Sequence, residues 1–172
     1  MTQQSIKGLT LTHPWAWCIA HAGKDVENRR WRPERQGGQV GMYLAIHGGA
    51  VPGKNTGKRE EARMDLAAAL RTMLLLDQAF PFTDHQISAL SMGRYVPGEE
   101  DYFVPGIVAV ARLTGVSETD TSPWSMFGQY HWQLADLLTL SEPIPHRGAQ
   151  GLWTIEPDAL EQLRAAWKGR AA

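Results

Sequence analysis

The hydrophobic pattern changes period twice within the first thirty residues. Ile6 to Leu11 reads as a short apolar strand. Thr12-His13-Pro14 follows, with Thr12 or His13 suited to cap a helix and Pro14 suited to its first turn, where a missing N–H costs nothing. Trp15 to His21 is almost wholly apolar and predicts a buried helix, which Gly23 stops by supplying a left-handed residue. Lys24 to Trp31 then reads as a charged strand, with Val26 on one side and Asp25 and Glu27 on the other.

Further along, Met42 to His47 predicts a short apolar strand that ends in Gly48-Gly49, where the backbone can bend sharply or approach a ligand closely. Arg59 to Ala79 carries Leu66, Leu70, Met73 and Leu74 at helical spacing, with Asn55 or Thr56 as cap and Glu60 and Glu61 in the first turn. Thr83 and Gln86 form a capping box for a short helix through Met92. Arg94 to Gly106 and Ser117 to Gly128 read as irregular loops. Between them Ile107 to Val116 is apolar on both faces at its start, as in a central strand. His131 to Leu140 predicts a strand bent near Ala135-Asp136. Ser141 to Gly151 is a Pro- and Gly-punctuated crossing, Leu152 to Ile155 a short strand, and Pro157 opens a last helix with Leu160, Leu163 and Trp167 on one face. Strands separated by irregular loops, with helices inserted rather than alternating, exclude a doubly wound sheet and predict an α+β fold. That fold is a small, partly open β-barrel or strongly curved sheet flanked by helices. Val26 and Ile46 are expected to face a common core, with Lys24 and the 147–150 crossing meeting on one side.

The 172 residues suit one domain with a core of its own. Cys18 is the lone cysteine, placed on an apolar helix, so an inert core thiol and a reducing, cytoplasmic setting are expected. No segment has the length and apolarity of a membrane span, and no secretory leader is expected. A formal net charge of −1 excludes nucleic-acid binding through bulk charge. The positive charge is local: Lys24, Arg29, Arg30, Arg32 and Arg35, then Lys54, Lys58, Arg59 and Arg63, with acidic runs elsewhere at 99–101 and 118–120. Ordinary solvated charge is the alternative to a binding patch.

Lys24 and Glu27 are the first candidates for chemistry. A Lys beside buried apolar surface can act as base or nucleophile, and Glu27 could orient it or move protons. The bland alternative is an exposed ion pair worth under about 1 kcal/mol. In a straight strand the two side chains point apart, so a working pair needs a bulge or turn between them. Trp15, Trp31, Trp124 and Trp153 are candidate stacking surfaces for bases, while Trp17 and Trp167 are expected in the core. The histidines form no metal signature, no Walker spacing or nucleophile elbow is present, and neither metal nor cofactor is expected.

The stretch LTLTHPWAWCIAHAGKDVENRRW resembles the opening signature of ASCH-domain proteins: an apolar strand, a Pro-Trp-Ala helix start, and a Lys-x-x-Glu-x-Arg strand ending in Trp. Tyr43 to His47 is similar to the family's next strand, and EPIPHRGAQGLW at 142–153 to its closing signature. The resemblance spans residues 6 to 155, with 59 to 104 as a variable helical insert in one domain covering 1–172. It implies a PUA-like β-barrel and a cleft for RNA or a nucleotide, with DNA a further candidate partner. The cleft would be lined by Trp15, Lys24, Arg29, Trp31, His47, Arg147, Gln150 and Trp153. Some members are amidohydrolases acting on acetylated cytidine through Lys, Thr and Glu, and others are described as ribonucleases. Lys24 stands at the Lys position and Glu27 where the Thr falls. A hydrolase using Lys24 and Glu27 is therefore the alternative to a binding module.

Overall fold

The computed structural model describes residues 6–170; residues 1–5 and 171–172 of the expected domain span lie outside the described residues. It is an α+β fold with a curled, half-barrel sheet of six strands. The strands are β1 (Ile6–Leu11), β2 (Val26–Arg29), β3 (Tyr43–Gly48), β4 (Gly106–Ser117), β5 (Tyr130–Ile144) and β6 (Leu152–Trp153), in the spatial order β2-β5-β4-β3-β1-β6. Among the described residues, β1 and β3 pair in parallel and the other neighbouring strands are antiparallel. Among the described residues the helices are α1 (Trp15–His21), α2 (Gly57–Leu75), α3 (Asp84–Ser91) and α4 (Pro157–Gly169). None is long and apolar enough to cross a membrane.

β4 lies between β3 and β5 and is buried on both faces through Ala111, as its two-sided apolar start requires. α1 covers one face, packing Ala16, Ile19 and Ala20 against Leu9, Leu44, Ile46 and Trp132. α4 covers the other, where Ala159 and Leu163 meet Ala45, Ile107, Val110 and Trp153. Leu44 and Ile46 thus point to one helix and Ala45 to the other, which explains why β3 is buried almost throughout. The bend expected near Ala135-Asp136 is present: Asp136 has φ +50°, and the β4–β5 register shifts between Val110 and Arg112, opposite it.

A third cluster holds α2 and α3 to the back of α1: Leu66, Leu70, Met73, Ile87 and Leu90 pack with Cys18, Ala22 and Val26. Val26 therefore belongs to this helical cluster and Ile46 to the sheet–α1 cluster, so the expected common core divides in two. Leu74 is exposed rather than part of the α2 core face. The α2 cap is Thr56, whose side chain accepts from the Arg59 amide, and the Thr83–Gln86 capping box forms as predicted. At α1 neither Thr12 nor His13 caps; Pro14 occupies the cap position and no side chain bonds the helix end.

Basic residues of the 54–63 cluster and the acidic run at 99–101, far apart in the sequence, meet inside the protein. Glu99 is wholly buried, and it receives the Arg59 Nε at 3.0 Å and the Arg63 Nε at 2.9 Å. The Val96 amide donates to the same carboxylate at 3.2 Å. Arg59 also lies 4.7 Å from the Phe103 ring centroid, a cation–π distance. Arg59 and Arg63 are thus not part of an exposed basic patch. They tie α2 to the segment that returns the chain to β4.

Candidate functional site

Gly23, at φ +68°, ends α1 and turns the chain so that the Lys24 amide donates back to the Cys18 carbonyl at 3.2 Å. Lys24 therefore belongs to the helix stop, two residues before β2 begins at Val26. Strand parity does not govern it. Its ammonium donates to Glu27 Oε2 at 2.9 Å and to the Val26 carbonyl. Lys24 is 4% exposed and Glu27 7%, which overturns the reading of a solvated strand-end pair. Glu27 and Arg29 share a face of β2, and the other carboxylate oxygen lies 3.2 Å from Arg29 Nε. Arg29 also donates to the Thr10 carbonyl at 3.0 Å. One carboxylate thus orients two cations, and both are anchored to backbone.

These residues open onto a pocket of about 420 Å3. Its walls are Thr10 to Thr12 from the end of β1, Trp15, Lys24 and the 27–29 strand, Ala68 and Thr72 of α2, and Pro123 to Met126 with Gln129 from the loop before β5. The Lys24 ammonium is 5.9 Å from the Trp15 ring centroid. Beside this pocket runs a groove of about 1210 Å3 that shares Thr10, Leu11, Thr12 and Arg29 with it. Trp31, His47, Lys58, Asp65, Arg147 and Gln150 line the groove. Lys24 and the 147–150 crossing are therefore brought to adjoining parts of one cleft, with Arg29 at the junction.

Trp153 is placed differently from the other nominated residues. It lines neither compartment and packs beneath the groove, its ring 4.7 Å from His146 and 5.5 Å from His47. Its indole N–H donates to Thr10 Oγ1 at 3.1 Å. His47 Nε2 donates to the His146 carbonyl at 2.8 Å, which leaves Nδ1 to accept from the Thr10 hydroxyl at 3.2 Å. Burial lowers the His47 pKa from its ordinary 6.5 and favours this neutral form. The network fixes the crossing on the sheet and so shapes the groove floor. Gly48 serves the same packing: a Cβ there would strike the Val104 carbonyl, so its close approach is to the chain's own backbone. Cys18 is buried, and its thiol is pushed up to about 12 by that burial, as expected of an inert core residue.

Several lining residues escaped the sequence reading. Glu61, Asp65, Ala68 and Thr72 form one stripe of α2 facing the cleft, so the insert supplies a wall. Burial raises the Asp65 pKa, while the Trp15 indole donates to its carboxylate at 3.3 Å. The helical spacing of that stripe was visible, but not which sheet edge it would face. Asn28 and the 123–129 loop are joined across about a hundred positions, and no local pattern encodes that contact. Among the described residues, no group of three or more His, Cys, Asp or Glu converges as a metal site. No protein-family model and no curated protein matches the chain.

Proposed function

We propose that the chain is an ASCH-like module with a PUA-like fold that binds single-stranded RNA, seating one base in the smaller pocket and its neighbouring backbone along the groove. The supporting observation is the continuity of the two compartments at Thr10–Thr12 and Arg29. The pocket has the volume of a small-ligand site and an indole in its wall. The groove carries Lys58 and Arg147, both exposed and suited to phosphate, with Gln150 and the half-buried Trp31 offering polar and aromatic contacts. Glu61 and Asp65, which follow Lys58 along α2, would hold off phosphate over that part of the wall and leave Lys58 and Arg147 as the places where the backbone is held.

Binding to a fluorescein-labelled RNA hexamer of mixed sequence, followed by anisotropy across a salt series, tests this reading. The affinity should fall with salt. Arg147→Ala should weaken it and flatten the slope by about 0.7 for each phosphate that the protein no longer neutralises. DNA of the same sequence is the comparison. Absence of binding at low ionic strength, or an affinity indifferent to salt, refutes the proposal.

One observation favours a hydrolase as the second reading: Lys24 and Glu27 form a buried pair on the wall of a nucleoside-sized pocket rather than on an open surface. Acetate release from acetylated cytidine by the wild type and by Lys24→Arg separates the two. Release that Lys24→Arg abolishes in a folded protein supports the enzyme. Equal release by both removes Lys24 from the chemistry.

A further inference from the structure

Phe127 is fully exposed, and its neighbour Met126 is half exposed. They stand at the tip of the loop between β4 and β5, and Met126 itself lines the small pocket. A free loop would fold such a ring onto nearby apolar surface, because burying a Phe side chain is favourable. This loop is held instead. Asn28, between Glu27 and Arg29 on β2, donates through Nδ2 to the Trp124 carbonyl and accepts from the Met126 amide, each at 2.9 Å. His131 Nε2 donates to the Met126 carbonyl at 2.8 Å, and Ser122 Oγ donates to Asp25 Oδ1 at 2.5 Å. Trp124 is buried in the helical core beneath. The strand that carries the cleft's carboxylate and arginine thus clamps the loop and keeps the Phe127 ring in water, one residue from the pocket-lining Met126.

We infer that Phe127 is a preformed stacking finger for the base adjacent to the one seated in the pocket. The inference rests on the RNA reading and adds to it a second base subsite outside the cleft. Phe127 follows the pocket-lining Met126 but lines no part of the pocket itself, so a base that stacks on its exposed ring is a neighbour of the seated one rather than the seated one. A preorganised ring loses little conformational freedom on stacking, and base–aromatic stacking tolerates any base. The finger would therefore add affinity for a chain of nucleotides without adding sequence preference.

The test is anisotropy with the labelled RNA hexamer and four variants of the full chain: Phe127→Ala, Phe127→Leu, Phe127→Tyr and Phe127→Trp. All four should fold as the wild type does, since the ring is exposed, and matched thermal midpoints check this. Phe127→Ala and Phe127→Leu should weaken hexamer binding about tenfold or more. Phe127→Tyr and Phe127→Trp should remain within about threefold of wild type. If the wild type binds RNA and Phe127→Ala binds equally well, the finger is overturned while the RNA reading stands, and the exposed ring is left as a surface for protein contact. If Phe127→Leu matches the wild type while Phe127→Ala does not, stacking is overturned in favour of plain apolar contact. If the wild type binds no RNA, both readings fail together.

Discussion

Replacing Glu99 by Gln removes one negative charge from the most deeply buried ionic group described. The carboxylate is 0% exposed, and Arg59 and Arg63 are 2% and 7% exposed. Gln keeps the shape but presents its amide N–H2 either to Arg63 Nε and the Val96 amide or to Arg59 Nε and Arg63 Nε, so in both orientations donors face donors. Arg59 retains the Pro52 carbonyl at 3.3 Å and the half-exposed Glu100 at 3.4 Å, and Arg63 retains the Gly93 carbonyl at 3.1 Å. Neither keeps a buried counter-charge. Breaking a buried pair from one side costs about 3–5 kcal/mol. Urea unfolding with a slope near 2 kcal/mol/M should therefore show a midpoint lower by about 2 M. The triple replacement Arg59→Met, Arg63→Met and Glu99→Leu removes the charges together and should recover most of that stability. A Glu99→Gln midpoint within about 0.5 M of wild type would refute the assignment of this network as what fixes α2, and with it the cleft wall.

Cys18 should resist a thiol reagent at pH 8 in the native protein and react fully on denaturation; rapid native labelling would contradict its burial and its pKa of about 12. His13 and His47 both have pKa values lowered by burial from the ordinary 6.5, and His13 Nδ1 is buried without a partner. The unfolded chain therefore takes up these protons first, so the stability they contribute is complete above about pH 6.5 and declines as pH falls below it. Thermal midpoints should drop between pH 7.5 and 5.5, and a midpoint that rises across that interval would contradict both assignments. Asp65 has the opposite sign, because its raised folded-state pKa gives stability when protonated; Asp65→Asn should steepen the acid-side decline of the thermal midpoint, and an unchanged decline would contradict this assignment.

The local parts of the fold were legible because local chemistry fixes them. The bounds of β1 and α1, the stop at Gly23, the caps at Thr56 and Thr83 and the bend at Asp136 each depend on residues within a few positions of one another. What failed had a tertiary cause. Arg59, Arg63 and Glu99 read as surface charge because each sits in a polar run, and their pairing spans 36 to 40 positions. Leu74 carries helical spacing yet turns off the buried face of α2, which runs through Leu66, Leu70 and Met73.

The candidate site shows the same division at a finer scale. Lys24 and Glu27 were nominated from the charged stretch after Gly23 and Arg29 from the local basic cluster and the family resemblance, and the difficulty foreseen for Lys24 and Glu27 was one of strand parity. The structure resolves it without a bulge, because Lys24 still belongs to the turn that ends α1. A helix stop immediately before a strand thus frees one side chain from the alternation that governs the rest, and a buried pair forms at a spacing that an ideal strand forbids. Asp65, Asn28 and the Met126-Phe127 tip complete the surroundings, and each reaches the cleft through a long-range contact. The charged strand from Lys24 to Trp31 therefore supplies the anchored centre of the cleft, while α2 and the 123–129 loop decide how large the cleft is and what can stand at its edge.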